Sequence, residues 1–288
     1  MTYREKYFEY KKIDNKYINN SVIKSLLMDD GGFLDFTILL KNFDQEIKDE
    51  EKLENNLQRV LHGEPIQYVL GYAYFVNSNY IVTPDVLIPR QETEELAVAA
   101  LSYITKHFGR DPKITIVDVG TGSGVLAIYL KSYYPNAKVI GVDISEKALE
   151  IARKNAQLHN VSVDFRLGNM LEPVKERIDV LISNPPYIES EETVDPQTLK
   201  FEPHLALFAK PKTLFYEEML FHIDQMSDDF YMAFEIGEDM KEELTSIIEN
   251  NYKGIGYKFE KDICSKDRFL YIMRNEELSS YEERVIVI

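Results

Sequence analysis

The sequence predicts an α/β protein: a mostly parallel sheet with helices on both faces, preceded by a small helical part and joined to it by a β-hairpin. Three observations carry this. From about residue 114 onward, short apolar runs of strand length alternate with segments of helical period, as crossover-connected parallel strands require. A glycine-rich turn, Gly120-Thr121-Gly122-Ser123-Gly124, directly follows the first of those runs. Before Tyr72, by contrast, apolar residues recur at three- and four-residue spacing.

In the first 72 residues, Val22, Ile23, Leu26 and Leu27 mark one helix; Phe33, Phe36, Leu39 and Leu40 mark a second; Leu53, Leu57, Val60 and Leu61 mark a third. Asp30-Gly31-Gly32 interrupts the pattern, and Gly63 with Pro65 is expected to end it. No catalytic constellation occurs here, so residues 1–72 are expected to form a helical substrate-recognition domain. Residues 73–90 read as a hairpin linker, with Tyr74-Phe75-Val76 and Tyr80-Ile81-Val82 flanking Asn77-Ser78-Asn79. Residues 91–288 then form the larger domain. Its first helix opens at Gln91-Glu92-Thr93, with Thr93 or Gln91 expected at the cap.

Strands are predicted over 114–119, 137–142, 163–167, 178–183 and 230–236, with helices over 125–133, 145–159 and 238–250. Tyr257 to Ile263 and Arg268 to Met273 read as a closing antiparallel pair. The tail from Glu276 to Ile288, acidic and then apolar, suggests no function.

Composition narrows the function classes. Hydrophobic residues make up 44% of the chain, enough for a packed core without disulfides. The single cysteine, Cys264, has no internal partner, and the five histidines show no metal-ligand spacing, so no metal site is expected. The formal charge of -16 argues against a wide nucleic-acid footprint. Met1 to Asn20 lacks the apolar core of a signal peptide, and no apolar stretch is long enough to span a bilayer. A soluble cytoplasmic protein is expected.

The chemistry is expected where the strand Ile178 to Ser183 runs into Asn184-Pro185-Pro186-Tyr187. Asn184 and Pro185 each precede a proline and are held extended, while Pro185 and Pro186 have no N–H. The carbonyls of this corner therefore have few local donors, and the Asn184 side chain adds an acceptor oxygen. Such a corner suits a planar NH2 group: one N–H to Asn184 Oδ1, the other to the Pro185 carbonyl, and the Tyr187 ring on the flat face. Gly120, Gly122, Gly124, Asp143, Asn169 and Asn184 all fall at carboxyl ends of predicted strands, where an open α/β sheet binds ligands. Asp143 is spaced to accept two ribose hydroxyls, which implies a nucleoside-like cofactor.

These residues resemble S-adenosylmethionine-dependent methyltransferases that act on planar nitrogen. Gly63-Glu64-Pro65-Ile66-Gln67-Tyr68, Val86 to Arg90 with Glu92-Thr93-Glu94, Glu202 to Leu207, Phe234-Glu235-Ile236-Gly237 and Asp267-Arg268 are similar to the release factor glutamine methyltransferases. The resemblance implies a Rossmann-like class I methyltransferase fold and methyl transfer to the N5 amide of the glutamine in the Gly-Gly-Gln loop of a peptide chain release factor. It implies S-adenosylmethionine as cofactor and S-adenosylhomocysteine as product. The methionine end would lie on Gly120, Thr121, Gly122, Ser123 and Gly124, with Asn184 nearby. The ribose would lie on Asp143 and the adenine between Asn169 and Met170. Asn184, Pro185, Pro186 and Tyr187 would hold the substrate amide. The chain departs from the family at Asn169, where aspartate is usual, at Gln91, where proline is usual, and over Ala209 to Lys212.

One rival is an amino-group methyltransferase acting on the exocyclic NH2 of a DNA or RNA base, also a planar amine. A non-catalytic binding protein and a nicotinamide oxidoreductase are the others. The acidic composition opposes the first, the intact amide corner the second, and Asn-Pro-Pro-Tyr the third.

Overall fold

The computed structural model describes residues 1–274, and the tail from Glu276 onward lies outside them. The chain divides into two compact units, residues 1–72 with 195–201, and residues 73–194 with 202 onward. No helix among the described residues is long and apolar enough to cross a membrane.

The first unit contains α1 (Tyr3–Tyr10), α2 (Asn20–Gly31), α3 (Phe36–Lys41), α4 (Glu50–Leu61) and α5 (Ile66–Leu70). Each of the first four starts on a side-chain cap, from Thr2, Asn19, Asp35 and Asp49, which satisfies amides a helix start leaves unpaired. Gly32 ends α2 in the left-handed conformation expected of a glycine after a helix. Pro65 does not end the helical pattern: it stands at the N-cap of α5, where a missing N–H costs nothing. Tyr3, Tyr10, Leu26, Leu27, Leu39 and Leu57 form the core. Lys6 is buried beside it, and the Glu54 carboxylate with Glu50 at 3.2 Å and Glu9 at 3.5 Å compensates its charge.

The boundary falls between Tyr72 and Ala73. The hairpin is β1 (Tyr72–Phe75) and β2 (Ser78–Ile81), so the turn is the pair Val76-Asn77 and not Asn77-Ser78-Asn79. Both turn residues have positive φ, 35° and 65°, as a two-residue hairpin turn requires; asparagine tolerates this and valine rarely does. Phe75 and Tyr80 pack into the second unit's core.

That unit continues with α6 (Gln91–His107), β3 (Thr115–Val119), α7 (Val125–Tyr133), β4 (Lys138–Asp143), α8 (Glu146–Leu158), β5 (Asp164–Leu167) and β6 (Ile178–Ser183). After α9 (Pro196–Phe201), which belongs to the first unit, come α10 (Leu214–Phe221), β7 (Met226–Glu235), α11 (Lys241–Asn251), β8 (Ile255–Lys261) and β9 (Asp267–Arg274). Sequence patterning gave no helix at α10. At α6 neither Thr93 nor Gln91 is the cap: Arg90 occupies that position without a side-chain bond, and Thr93 turns inward.

The seven strands are ordered β5-β4-β3-β6-β7-β9-β8, and β9 alone runs against the others. Alternate strand residues feed two cores. Ile116, Val180, Ile182 and Tyr231 meet α6 and α7 on one face; Val117, Leu181, Met232 and Phe234 meet α10 and α11 on the other. Strand order reverses between β3 and β6, which sets a crevice beyond their carboxyl ends.

Candidate active site

At that crevice a cleft opens within the second unit. Gly120 and Gly122 line it after β3, Asp143 at the end of β4 with Ile144 and Ser145 after it, Asn169 and Met170 after β5, and Asn184, Pro185 and Pro186 after β6. Val86, Leu87, Pro203, Leu205, Ala206 and Phe215 close the other side.

The glycine turn is built from both ends. Gly120 and Thr121 donate their N–H groups to Val142 O at 2.9 Å each, and Gly122 donates to Asp143 Oδ2 at 2.8 Å. Gly120 has φ 71°, and a Cβ added there would meet nothing within 4 Å; it would stand in the cleft where a ligand must approach the backbone. At Gly124, with φ 84°, a Cβ would come within 3.1 Å of Ala152 Cβ, so glycine is what lets the turn lie against α8. Behind the turn, the buried Asp118 accepts from Thr121 Oγ1 at 2.6 Å and Ala127 N at 3.2 Å. Burial pushes this carboxyl up to about 7, although both bonds oppose the shift.

Asp143 uses one oxygen for Gly122 and the other, at 2.9 Å, for Ser145 N. Each oxygen keeps acceptor capacity for a further donor. Its pKa is raised by burial, against the pull of these N–H groups.

Asn184 lies one residue beyond β6, beside the end of β7, since Ser183 pairs with Phe234. Its Nδ2 donates to Thr93 Oγ1 at 2.9 Å, and Thr93 Oγ1 donates to Glu235 Oε2 at 2.7 Å. Neither Asn184 Oδ1 nor the Pro185 carbonyl receives a hydrogen bond from the described residues. Both residues line the cleft, and both oxygens keep their lone pairs uncommitted. Glu235 is fully buried, and burial pushes it up to about 7, opposed by the Thr93 bond and Arg268. Arg268 donates to Asp262 Oδ2 at 3.1 Å and to Ile236 O at 3.2 Å.

The cleft brings together Gly120, Gly122, Asp143, Asn169, Met170, Asn184, Pro185 and Pro186. It does not include Thr121, Ser123, Gly124 or Tyr187. Thr121 and Ser123 are buried, the former bonded to Asp118. The Tyr187 hydroxyl donates to Glu235 Oε1 at 3.3 Å, and its ring packs against the α10 side of the core. Met170 carries a positive φ of 48°, uncommon for a side chain of its size and here located at the cleft wall. In the sequence Thr93 reads as a cap candidate, and the family resemblance runs through both Thr93 and Glu235 without giving either a role at the site. A carboxylate ending the buried run Phe230 to Phe234 was the signal for the latter. Among the described residues, no three His, Cys, Asp or Glu side chains cluster so as to hold a metal ion.

A family model described as "Methyltransferase small domain" matches residues 99–201. The release factor glutamine methyltransferase of Enterococcus faecalis is 40% identical over 226 residues, which cover 77% of this chain and 80% of that relative. Its namesake from Staphylococcus aureus is 40% identical over 226 residues, covering 76% and 79%. A solved methyltransferase from Pyrococcus furiosus matches with a TM-score of 0.50 at 18% identity, over 77% of this chain and 98% of that one; this likeness bears on the fold alone.

A methyltransferase of this fold takes S-adenosylmethionine as methyl donor, and the residues present fit it. Gly120 leaves open space for an approaching chain, Asp143 keeps acceptor capacity for hydroxyls, and Ile144 and Met170 offer apolar surface for a flat ring. At 40% identity across 80% of the Enterococcus faecalis relative, the chain belongs to the release factor glutamine methyltransferase family.

Proposed function

We propose that this chain transfers a methyl group from S-adenosylmethionine to the N5 amide of the glutamine in the Gly-Gly-Gln loop of a peptide chain release factor. The observation that carries the reading is the pair of uncommitted acceptors, Asn184 Oδ1 and the Pro185 carbonyl, at the cleft mouth of β6. A primary carboxamide presents two N–H donors in one plane, and this pair matches them. The acidic charge of -16 favours a protein substrate over a nucleic-acid base. The helical first unit is assigned to recognition of the release factor's body.

An amide nitrogen is a weak nucleophile because its lone pair is delocalised into the carbonyl. Asn184 Oδ1 and Pro185 O compensate by holding both amide protons, which raises electron density on nitrogen and fixes its direction. When bound, S-adenosylmethionine supplies an electrophilic methyl carbon on a sulfonium. Positioning of this kind is worth roughly 7–11 kcal/mol in well-aligned intramolecular reactions. Acceptors set in advance and shielded from water also stabilise the positive character that nitrogen gains in the transition state. The surplus proton, held at one of the two acceptors, passes to water. Gly120, Gly122 and Asp143 would hold the cofactor, and Val86, Leu87, Pro203 and Leu205 would keep water from the reacting atoms.

Incubating the full chain with purified release factor and labelled cofactor, then mapping the product by mass spectrometry, tests the reading. A single methyl on the Gly-Gly-Gln glutamine is the expected product. Label on oligonucleotides and none on release factor would replace this reading with the base-methylating one.

A further inference from the structure

We propose that the Glu235 carboxylate, acting through the Thr93 hydroxyl, determines which end of the Asn184 side-chain amide faces the cleft. This assignment rests on the reading of Asn184 as an acceptor for the substrate amide. Thr93 and Glu235 are positioning residues in it.

An asparagine amide has two ends of nearly equal size, one an acceptor and one a double donor, so only its hydrogen-bond partners decide its orientation. The partner here is Thr93 Oγ1, 2.9 Å from Asn184 Nδ2. A hydroxyl has a single proton. Thr93 gives that proton to Glu235 Oε2 at 2.7 Å, so its oxygen is left able only to accept from Asn184. Nδ2 alone can satisfy that oxygen, and Oδ1 is thereby turned to the cleft. A bond to a charged acceptor is the stronger kind, which makes the carboxylate the anchor of the chain.

The polarity reverses if Glu235 takes up a proton on Oε2. Glu235 then donates to Thr93 Oγ1, the Thr93 proton turns towards Asn184, and the amide gains its best bond by rotating half a turn. Two N–H donors would then face the cleft, opposite the two N–H donors of the substrate. Binding of the carboxamide is lost.

The groups facing Glu235 bear on when this occurs. Tyr187 donates to Oε1 at 3.3 Å, and the Tyr216 hydroxyl donates to the Glu235 backbone oxygen at 2.7 Å. Arg268 on β9 favours the ionised form, and Glu92 on α6 disfavours it. Burial dominates and sets the titration near neutrality, at about 7. Deprotonation on the alkaline side gives the productive orientation, so turnover rises with pH through that region.

The test uses the full chain with Thr93→Val, Thr93→Ser and Glu235→Gln, each alone and combined with Asn184→Ala. Calorimetric binding of S-adenosylhomocysteine checks that the cleft is formed. Thr93→Val is expected to lower kcat about a hundredfold, the scale set by misplacing a reacting group by about 1 Å, with cofactor affinity kept. Thr93→Ser, which restores the hydroxyl, recovers most of that loss. Glu235→Gln is slow at every pH and lacks the acid limb. In the Asn184→Ala background, Thr93→Val adds no further loss, because both act through one oxygen. Affinity for a Gly-Gly-Gln peptide, measured by calorimetry without turnover, falls as pH drops below about 7 in the wild type and not in Glu235→Gln. Wild-type kcat and an unchanged pH profile in Thr93→Val, with Asn184→Ala inactive, would overturn the relay and leave the amide clamp standing. Full turnover in Asn184→Ala would remove the clamp itself, and the relay with it.

Discussion

Gly122 donates its N–H to Asp143 Oδ2 at 2.8 Å, so the acidic residue at the end of β4 also fixes the turn after β3. Its other oxygen caps the backbone at Ser145. Asp143→Ala therefore loosens the glycine turn and, on the assignment of Asp143 to the cofactor's ribose, removes an acceptor for its hydroxyls as well. Cofactor affinity is expected to fall by about a hundredfold, the equivalent of two charge-assisted hydrogen bonds at about 1.5 kcal/mol each. Titration calorimetry reads it directly, and an affinity within a factor of two of wild type would contradict the ribose assignment.

Asn184→Ala separates binding from chemistry. The side chain makes no bond to the glycine turn or to Asp143, so cofactor binding should persist. Turnover should drop by roughly 10²–10³, the usual cost of removing one preorganised polar group from a reacting centre. Single-turnover methylation of release factor at saturating cofactor measures it.

What the sequence could show follows from how local each signal is. Gly120, Asp143 and Asn184 were legible because each stands at the carboxyl end of a strand-like, largely apolar run, and strand ends converge in an open α/β sheet. The roles of Thr93 and Glu235 were not, although both lie in segments that carry the family resemblance. Their meeting with Asn184 joins positions 91 and 51 residues distant in sequence, and no periodicity records a side-chain bond between α6, β6 and β7. Tyr187 is singled out by its position after the double proline, and nothing in the sequence signals that its hydroxyl bonds to Glu235 or that it stands outside the cleft lining. The helix at Leu214–Phe221 was missed because it is short and apolar nearly all round, leaving no stripe to detect. Val76 at φ 35° runs against local preference, and the buried Phe75 and Tyr80 on either side outweigh it.

Glu202 ties together two segments that wall the cleft. One oxygen accepts Ile88 N at 3.1 Å and the other Arg90 Nη2 at 2.5 Å, with the Glu202 side chain 2% exposed. Val86 and Leu87 precede this tie and Pro203, Leu205 and Ala206 follow it at the cleft. Glu202→Ala would leave a buried N–H and a half-buried guanidinium without partners, costing about 2–3 kcal/mol. Glu202→Gln retains an acceptor for Ile88 and should cost about half as much. Urea unfolding of the two variants, with KM for release factor, checks both the stability cost and the expected loosening of the wall. Equal stability of wild type and Glu202→Ala would mean the pair contributes nothing net.

Asp118 gives the stability of the protein a pH dependence of definite sign. Its folded-state pKa lies at about 7, against an ordinary 3.8, because burial penalises the charged form more than Thr121 and Ala127 stabilise it. Between those values the folded chain holds a proton that the unfolded chain has released, so unfolding free energy falls as pH rises. The contribution is fully present below about pH 4 and gone above about pH 7, and its size is about 4 kcal/mol. Glu235, also raised to about 7, acts in the same direction through its own titration. Asp118→Asn keeps an oxygen for Thr121 and Ala127 but cannot ionise. Urea midpoints measured from pH 4.5 to 7.5 should therefore decline more steeply for wild type than for Asp118→Asn. Parallel curves would mean that Asp118 is ionised in the folded protein throughout, and that the turn after β3 rests on a buried carboxylate anion.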